Sequence, residues 1–295
     1  MSRKVVLIAN PVAGKGRPEE LFHLFVQAME RRGYRVETHI TRTAGEATLC
    51  ARTVKPEVEA LVVAGGDGTL NEVLNGLVDP SRIPIALLPT GTANILAHEL
   101  GLPTRAEAVA ETVQGGRVRR LDMGLIGGRR FLAVVGAGFD AMVTQEVRRT
   151  RQRGLGYSGY VLPVLRSLVR YRVPELRITV DGAEQFQGAF AVVSNTRNYG
   201  GIFTFADQAR CDSGHFDVCV FPKGTVFALT RYYFAALRGG VSGIPEVRYV
   251  TGRSVRIESE EPVAVQVDGD PFGATPVEID LVPSTVPIIV SRPVS

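Results

Sequence analysis

Cysteine and histidine are scarce in this chain, and their scarcity excludes two kinds of fold. Among 295 residues there are three cysteines, which are scattered and form no C-x-x-C pair, and four dispersed histidines. Such a pattern supports neither a disulfide framework nor a zinc ribbon. We therefore interpret Cys50, Cys211 and Cys219 as reduced thiols of a cytoplasmic protein.

Long apolar runs are absent as well. No uninterrupted stretch approaches the roughly 18 to 20 apolar residues that a spanning helix needs. The short apolar run at the N-terminus lacks the features of a signal peptide. Any meeting with a membrane is therefore expected to be peripheral. The formal net charge of +4 is mild, and by itself it is compatible with an anionic membrane surface, with nucleic acid or with neither.

Glycine, by contrast, is abundant and recurs after short apolar runs. Four predicted strands, each followed by a glycine-containing loop and a helical pattern, are Lys4–Ala9, Arg35–Thr41, Ala60–Ala64 and Pro84–Leu88. These repeats predict an α/β fold with a doubly wound parallel sheet. Because such loops leave the carboxyl ends of the strands, we expect them to share one ligand-binding edge.

The turn after the third run carries the strongest chemical signal. Gly65, Gly66, Asp67, Gly68 and Thr69 lie between an apolar strand and a helical pattern that begins near Thr69. Glycine backbone and a helix N-terminus together favour phosphate, but a carboxylate beside a phosphate requires a cation between them. The turn therefore predicts a Mg²⁺–nucleotide site in which Asp67 holds the metal directly or through water. The alternative is a helix cap formed by Asp67 or Thr69.

The loop after the first strand is a weaker candidate. Asn10, Lys15 and Arg17 can reach a phosphate, although the loop is not a Walker A motif. The alternative is an ordinary solvated loop.

Strand patterns dominate after residue 121. Many alternate apolar and polar residues, which is typical of a mainly antiparallel β-sandwich. We place the domain boundary near Asp122, with a nucleotide-binding domain over 1–121, completed by a tail over about 284–295, and a second domain over 122–283. The predicted strands are Phe131–Val135, Leu176–Val180, Phe186–Ser194, Phe216–Phe221, Val247–Val250, Val255–Glu258, Val263–Val267, Val277–Leu281 and Ile288–Val290, and the predicted helical segments are Asp140–Arg172 and Val226–Arg238.

One motif in the second domain imitates a dinucleotide site. The run Phe131–Val135 is followed by Gly136-Ala137-Gly138-Phe139-Asp140-Ala141, which fits G-x-G-x-x-A. A dinucleotide fold also needs an acidic residue about 20 positions further on, where this sequence has Tyr157 and Tyr160. The unit is also isolated among antiparallel strand patterns, so we reject the dinucleotide interpretation.

A pair of carboxylates follows a late strand. Asp268-Gly269-Asp270 comes directly after Val263–Val267, and Asp-Gly is a common hairpin turn. Phosphoryl transfer also needs a base near the acceptor hydroxyl, and general-base help supplies about 10²–10⁴-fold in rate. Both the structural and the catalytic interpretation remain open for these residues.

A basic segment lies between the G-x-G-x-x-A motif and the Asp268-Gly269-Asp270 sequence. Arg148, Arg149, Arg151 and Arg153 precede an apolar helical pattern with interleaved arginines, over 161–172. Cationic residues beside an amphipathic helix suit an anionic membrane surface. We hypothesise that this segment docks the protein on a membrane; the alternative is a core-packed helix with a solvated basic loop.

In order and spacing, the motifs resemble those of the diacylglycerol kinase / sphingosine kinase-like lipid kinase family, of the bacterial soluble diacylglycerol kinase type. The resemblance covers nearly the whole chain. It implies a nucleotide-binding domain of the NAD kinase/diacylglycerol kinase-like fold and a β-rich domain for a lipid substrate. The matching strings are Gly65-Gly66-Asp67-Gly68-Thr69-Leu70-Asn71-Glu72-Val73, Asn10-Pro11 with Gly14 and Gly16, LPTGTAN ending at Asn94, and Gln266-Val267-Asp268-Gly269-Asp270.

The resemblance also implies roles for individual residues. Thr41 is implied to contact the nucleotide, and a helix cap remains the alternative role for its hydroxyl. Asp270 occupies the family's base position, where glutamate is usual, and its side chain is shorter, so we keep Asp268 as a second candidate for the base. Asp122 matches a family aspartate that helps link metal to active site. The implied nucleotide contacts are Asn10, Lys15, Thr41, Gly65, Gly66, Asp67, Gly68, Thr69, Asn71, Gly91 and Thr92.

A second metal is implied by the loop Arg210–Asp217. It resembles a loop that holds a structural Mg²⁺ in some bacterial members of the family. The candidate ligands are Asp212 and the backbone oxygens of Arg210 and His215. Ser213 stands where the family has an aspartate, and serine is a poorer ligand for a hard cation.

The implied function is ATP- and Mg²⁺-dependent phosphorylation of a lipid hydroxyl. Diacylglycerol is the first candidate acceptor, giving phosphatidic acid for phospholipid biosynthesis. The alternatives are a sphingoid base, a polyprenol or NAD as acceptor, and an inactive nucleotide- or lipid-binding module, which the shorter Asp270 keeps open. We expect a cytoplasmic, peripherally membrane-associated protein that meets its lipid substrate at a membrane surface and binds no nucleic acid, and we consider a homodimer.

Overall fold

The chain folds into two compact units. The computed structural model describes residues 3–14, 18–151 and 171–292, and no side chain is described for 147–151. Residues 1–123 and 283–295 belong to the first unit, and residues 124–282 belong to the second. The boundary and the tail of the sequence-based assignment lie within a few residues of these positions.

Strands and helices alternate in the first unit, whereas strands dominate the second. The elements begin with β1 (Arg3–Ala9), α1 (Pro18–Arg31), β2 (Tyr34–Ile40), α2 (Glu46–Thr53), β3 (Ala60–Gly65), α3 (Asp67–Gly76), β4 (Ile85–Pro89), α4 (Ile95–Glu99), α5 (Ala106–Gly115) and β5 (Arg117–Ile126). They continue with β6 (Arg129–Phe131), β7 (Val134–Ala137), α6 (Phe139–Arg151), β8 (Leu176–Val180), β9 (Glu184–Gly188), β10 (Phe190–Ser194), β11 (Phe216–Phe221), α7 (Val226–Leu237), β12 (Arg248–Gly252), β13 (Ser254–Ser259), β14 (Ala264–Val267), β15 (Asp270–Ala274) and β16 (Val277–Val290).

The parallel sheet of the first unit reverses its strand order beside β1. The order is β2-β1-β3-β4, and the C-terminal part of β16 continues it by pairing Ile288 with Ile85. Strand order therefore reverses between β1 and β3, so the loops after these two strands diverge. In open α/β sheets ligands bind at such a switch point, outside the carboxyl ends of the strands.

Both faces of this sheet are buried along β1, β3 and β4, which explains why these strands are apolar runs, whereas the edge strand β2 is largely exposed. On one face Leu7 and Val62 pack with Phe25 of α1 and Val109 of α5. On the other face the alternate strand residues, such as Ile8, are buried as well. Helices α2 and α3 pack closely, because Gly76 leaves room: a Cβ there would lie 2.3 Å from the Thr48 carbonyl oxygen.

Two antiparallel sheets form the second unit. One joins the N-terminal part of β16 to β13, β8 and β9 in that order, and the other has the order β12-β11-β10-β7-β14-β15. Ile178 and Ile257 of the first sheet and Val135 and Val218 of the second belong to one buried core. The α/β unit with a parallel sheet and the β-sandwich confirm the predicted fold class.

One predicted strand, Phe131–Val135, is wrong because a side chain competes for its backbone. The run is divided between β6 and β7. At the break the N–H groups of Leu132 and Ala133 donate to the carboxylate of Asp268 at 3.1 and 3.0 Å. Those donors are therefore lost to the β-ladder, and alternation of apolar residues cannot reveal this.

Other boundaries differ because strands change partners. The predicted strand Phe186–Ser194 is divided at Ala189, where the chain leaves the sheet of β8 and enters that of β11. Conversely, Val277–Leu281 and Ile288–Val290 are parts of one strand, β16. Elements α5, β5 and β15 are additional to those predicted.

Candidate active site

The central turn ends β3 and begins α3 at Asp67. The N-cap residue is Gly66, with extended backbone. Since glycine has no side chain to accept a capping bond, the alternative of Asp67 or Thr69 as cap is wrong. The helix starts two residues earlier than the sequence pattern predicts. Leu70 N–H donates to the Gly66 carbonyl at 3.1 Å, so the backbone N–H groups of Asp67, Gly68 and Thr69 precede the first helical bond.

Two glycines here are required by packing, and a third is not. A Cβ on Gly65 would lie 2.5 Å from the Thr69 side chain, and a Cβ on Gly91 would lie 2.4 Å from Gly66 Cα. Gly65 thus leaves room for Thr69, and Gly91 lets the turns after β3 and β4 touch. By contrast, no atom of the described residues lies within 4 Å of the position that a Cβ on Gly68 would take. Gly68 therefore faces open space at the positive end of α3.

Asn10 ties the loop after β1 to this helix. Its Nδ2 donates to Thr69 Oγ1 at 3.1 Å, its Oδ1 accepts from the Val12 N–H at 3.1 Å, and its own N–H donates to the Ala64 carbonyl at 2.8 Å. Both ends of the amide are thus used within the protein. Asn10 and Thr69 hold the two loops of the switch point together.

Thr41 and Asn71 are buried behind these loops. The Thr41 hydroxyl donates to the Ala9 carbonyl at 3.3 Å. Because the N-cap of α2 is Gly45, the alternative of Thr41 as its cap is wrong. Asn71 accepts hydrogen bonds from Asn75 Nδ2 at its backbone and side-chain oxygens, at 2.9 and 3.1 Å. In this structure Thr41 thus binds the end of β1, and Asn71 is bonded within α3.

The loop after β4 contains a candidate ligand contact, the Thr90 hydroxyl, that the sequence pattern did not indicate. Asn94 closes it, accepting from Gly91 N–H at 3.0 Å and donating to the Gly91 carbonyl at 2.9 Å, and its φ is 46°. Thr92 is exposed. Thr90 Oγ1 is buried and has no hydrogen-bond partner among the described residues. A buried hydroxyl without a partner costs free energy, so Thr90 joins the candidates for ligand contact.

A small open depression lies at this edge of the sheet. Asp67 and Asn94 are its polar side chains, and Leu70 and Leu87 contribute to its apolar walls. Within the described part of the chain, no three His, Cys, Asp or Glu side chains cluster as a metal site. Mg²⁺ is commonly held by one or two carboxylates together with substrate phosphates and water. Asp67, the open space at Gly68 and the orphan hydroxyl of Thr90 fit such a nucleotide-borne metal.

The carboxylates at Asp268 and Asp270 have different surroundings in the second unit. Asp268 and Gly269, with φ of 50° and 79°, form the two-residue turn between β14 and β15, as the hairpin interpretation predicts. The Asp268 carboxylate accepts backbone N–H groups from Leu132, Ala133 and Val134 at 2.9–3.1 Å. Its oxygens are therefore engaged in holding the turn.

Asp270 has a different partner. Its side chain is 34% exposed, and its Oδ2 lies 3.0 Å from Arg129 Nη2. Arg129 follows the Gly127-Gly128 turn between β5 and β6. The Gly127-Gly128 pair indicates the turn in the sequence. The contact between Arg129 and Asp270 is tertiary, and no local sequence pattern predicts it.

The glycines of the G-x-G-x-x-A motif are explained by packing. Strand β7 is antiparallel to both of its neighbours, β10 and β14, whereas a dinucleotide site needs a parallel βαβ unit. A Cβ on Gly136 would lie 1.6 Å from Asp140 Oδ2, and Gly138 has φ of 92°. Asp140 is fully buried, and burial raises its pKa from 3.8 to about 6 against hydrogen bonds from Tyr199 and Gln266.

The Asp122 side chain and backbone oxygens of the 210–217 loop accept hydrogen bonds from within the protein. Asp122 is buried, and its Oδ1 accepts the Ser284 N–H at 2.7 Å, where the chain returns to the first unit. Ser213 donates its N–H to the Arg210 carbonyl at 3.1 Å and its hydroxyl to the His215 carbonyl at 2.9 Å. Both backbone oxygens predicted to bind a second Mg²⁺ thus already accept hydrogen bonds. Asp212 lies 3.4 Å from the Arg210 guanidinium.

Several predicted residues lie outside what the structure describes. Lys15 and Arg17 belong to the first gap, and Arg153 with most of the basic segment belongs to the second. The side chains of Arg148, Arg149 and Arg151 are likewise outside the description. Across the described ranges, no helix is long and apolar enough to cross a membrane.

A parallel sheet with a glycine turn at its switch point, together with a β-sandwich, defines a class of folds that includes NAD kinases. An NAD kinase from Archaeoglobus fulgidus, solved in complex with ATP, matches with a TM-score of 0.52 at 11% identity, over 98% of this chain and 94% of that one. A diacylglycerol kinase structure from Bacillus anthracis matches with a TM-score of 0.78 at 24% identity, over 99% and 98%. These matches describe the fold.

Sequence comparisons identify the family of the chain. Residues 4–126 match the diacylglycerol kinase catalytic domain, and residues 133–290 match the YegS C-terminal NAD kinase beta sandwich-like domain. Diacylglycerol kinases from Bacillus subtilis and Staphylococcus carnosus are 31% and 30% identical over 94% of this chain, covering 92% and 91% of their own lengths. The chain belongs to the diacylglycerol kinase family, a family of lipid kinases, which confirms the family and the enzyme class predicted from the motifs.

Proposed function

We propose that this lipid kinase transfers the γ-phosphoryl group of ATP to the hydroxyl of diacylglycerol, giving phosphatidic acid. The observation that carries the proposal is the start of α3, where Asp67 and the open space at Gly68 lie at the switch point of the sheet. Phosphates bind helix N-termini of this kind. The Archaeoglobus neighbour was solved with ATP, and the matching Bacillus and Staphylococcus relatives are diacylglycerol kinases, which supports both substrates.

Different groups are proposed to bind the nucleotide and to activate the acceptor. The backbone N–H groups at the start of α3 would bind phosphate oxygens, and Asp67 would hold the Mg²⁺ that accompanies them. That ion would neutralise charge on the transferred group. Asp270 accepts the proton of the acceptor hydroxyl as that oxygen bonds to the γ-phosphorus, while the bond from this phosphorus to the β-phosphate oxygen breaks and ADP leaves. Asp268 is the less suitable base, since its oxygens accept three backbone N–H groups.

An acceptor panel tests the proposal. The purified chain is incubated with radiolabelled ATP and Mg²⁺ in mixed micelles that contain diacylglycerol, a sphingoid base or a polyprenol, and separately with NAD. We expect kcat/KM for diacylglycerol to exceed that for every other acceptor by at least about tenfold. This ratio corresponds to a difference of about 1.4 kcal/mol in activation free energy.

Other outcomes of the panel assign the function differently. Label in NADP with none in lipid would place the chain with the NAD kinases in activity as well as in fold. Nucleotide binding without transfer to any acceptor would identify an inactive binding module. The acceptor panel does not test three further predictions, which are a homodimer, a cytoplasmic location and membrane docking through the basic segment.

A further inference from the structure

A chain of buried polar groups runs beneath the turn that carries Asp270. Gln266 is fully buried in β14. Its Nε2 donates to Asp140 Oδ2 at 2.9 Å, and its Oε1 accepts the Gly269 N–H at 2.8 Å. Asp140, at the start of α6, is 1% exposed. A buried carboxylate is therefore connected through one amide to the residue that immediately precedes Asp270.

The two hydrogen bonds determine which way the amide of Gln266 points. A carboxylate oxygen accepts only, so the nitrogen end must face Asp140. The oxygen end is then presented to the Gly269 N–H, which requires an acceptor. Reversal of the amide would place two donors together at Gly269 and two acceptors together at Asp140. The charge on Asp140 thus orients the acceptor that holds the turn.

The site is shaped around this carboxylate. The Tyr199 hydroxyl donates to Asp140 Oδ1, so each carboxylate oxygen has a partner. Gly136 leaves the required space, because a Cβ there would lie 1.6 Å from Asp140 Oδ2. The other titratable groups facing Asp140 are Tyr171 and Tyr233, and burial raises the pKa of both hydroxyls, which keeps them neutral. Burial of unpaired polar groups is costly, so the arrangement is built rather than incidental.

The turn is anchored from both sides. Asp268 is held by the N–H groups of Leu132, Ala133 and Val134 on one side, and Gly269 is held by Gln266 on the other. We propose that Gln266, oriented by Asp140, is a positioning residue that places the Asp270 carboxylate for proton transfer, an inference that rests on the base role proposed for Asp270. Both Gln266 and Asp140 are buried, and in this proposal they act through the turn.

A donor–acceptor exchange tests this role. Gln266→Glu places two carboxylates together. Asp140→Asn keeps an acceptor for Gln266 Nε2 if its own amide nitrogen faces the Tyr199 hydroxyl, which then accepts instead of donating. In the double variant Asp140→Asn with Gln266→Glu, the new amide donates to the new carboxylate. That carboxylate can still accept the Gly269 N–H, and the Tyr199 hydroxyl keeps an acceptor.

We expect Gln266→Glu to lower kcat by about 10–100-fold, since a misplacement of about 1 Å can cost about 100-fold. Asp140→Asn should lower kcat less, because an amide oxygen can still accept from Gln266. The KM for ATP should not change, because the nucleotide groups belong to the first unit. Gln266→Glu should lose more activity at pH 8 than at pH 6, where two facing carboxylates can share a proton. The double variant should recover kcat to within about threefold of the unmodified chain. Gln185→Glu, an exposed position on β9, is the matched control.

The outcomes separate this proposal from the proposed function. All values are expressed per nucleotide-binding site, and thermal unfolding is measured in parallel. Gln266→Glu with unchanged kcat, a double variant no better than Gln266→Glu, or losses that follow the folded fraction alone would overturn the positioning role. If instead Asp270→Asn keeps full turnover, the base assignment in the proposed function fails, whatever Gln266 does.

Discussion

Asp67 is a carboxylate at the first position of a helix, where its effect on stability is small. A negative side chain in the first turn contributes about 0.3–1 kcal/mol. We expect Asp67→Asn to lower kcat/KM by at least about 100-fold, as loss of one electrostatic stabiliser commonly does, while the free energy of unfolding changes by at most about 1 kcal/mol. Kinase assays and thermal unfolding check this, with the exposed Glu57→Gln as control. Full turnover of Asp67→Asn would exclude a role in holding the metal.

Gly68 and Gly65 make opposite predictions for the same substitution. A methyl group on Gly68 meets no described atom, and Gly→Ala in a helix stabilises by about 0.5–1 kcal/mol. We therefore expect Gly68→Ala to keep or raise the melting temperature while raising the KM for ATP. Gly65→Ala should instead destabilise the fold, because its Cβ would lie 2.5 Å from Thr69. An unchanged KM in a stable Gly68→Ala variant would show that phosphate does not approach this residue.

At the scale of elements, the β14–β15 hairpin separates the two aspartates by function. Asparagine tolerates the positive φ of Asp268, so Asp268→Asn tests the side-chain hydrogen bonds and not the backbone. We expect a loss of about 1–3 kcal/mol in stability, the cost of leaving buried donors poorly paired, with measurable kinase activity remaining. Denaturant unfolding and single-turnover rates check both. Complete loss of turnover in a protein of unchanged stability would instead make Asp268 the base.

Helix α7 presents an apolar stripe to solvent. Phe227, Phe234 and Leu237 are 81%, 55% and 53% exposed and recur at helical spacing. The helix contains no acidic residue. The Arg238 guanidinium lies 4.9 Å from the centre of the Phe234 ring, and Lys223 is exposed just before the helix. Apolar side chains flanked by cations suit an anionic bilayer.

We expect the double change Phe227→Ser and Phe234→Ser to weaken binding to phosphatidylserine-containing vesicles by at least about tenfold, since each buried aromatic ring contributes about 1.5–3 kcal/mol. Leu49→Ser, at a 59% exposed position on α2, should leave vesicle binding unchanged. Vesicle sedimentation measures both variants. Unchanged sedimentation with an altered oligomeric state would identify the stripe as a contact between copies of the chain.

For the whole molecule, one buried carboxylate makes stability depend on pH. Burial raises the pKa of Asp140 from 3.8 to about 6, so between these values the folded chain binds more protons than the unfolded chain. Stability contributed by this group therefore falls as pH rises from about 4 to about 6. Asp140→Asn should flatten that part of the profile. Denaturation midpoints at intervals between pH 4 and pH 7 check the prediction, and parallel profiles for both proteins would contradict it.

The sequence by itself determined the architecture to a large extent. Apolar runs such as Ala60–Ala64 are long enough for one buried strand each, and the glycine turns that follow place their ligand groups at one edge of a parallel sheet. Alternating runs such as Leu176–Val180 likewise predicted a sandwich. These signals are local, because strand length, alternation and turn chemistry are properties of neighbouring residues.

Only the tertiary structure decided how the polar groups are shared. Gln266 meets Asp140, Asp268 meets Leu132–Val134, and Arg129 meets Asp270 over more than 120 positions of the chain. Each contact requires two segments to be folded beside each other before a donor finds its acceptor. Periodicity does not record such pairings, which is why the strand break at Leu132 and the orientation of Gln266 emerge only from the folded chain. The same sharing of donors distinguishes Asp268, whose oxygens accept three backbone N–H groups, from Asp270, which meets the Arg129 guanidinium.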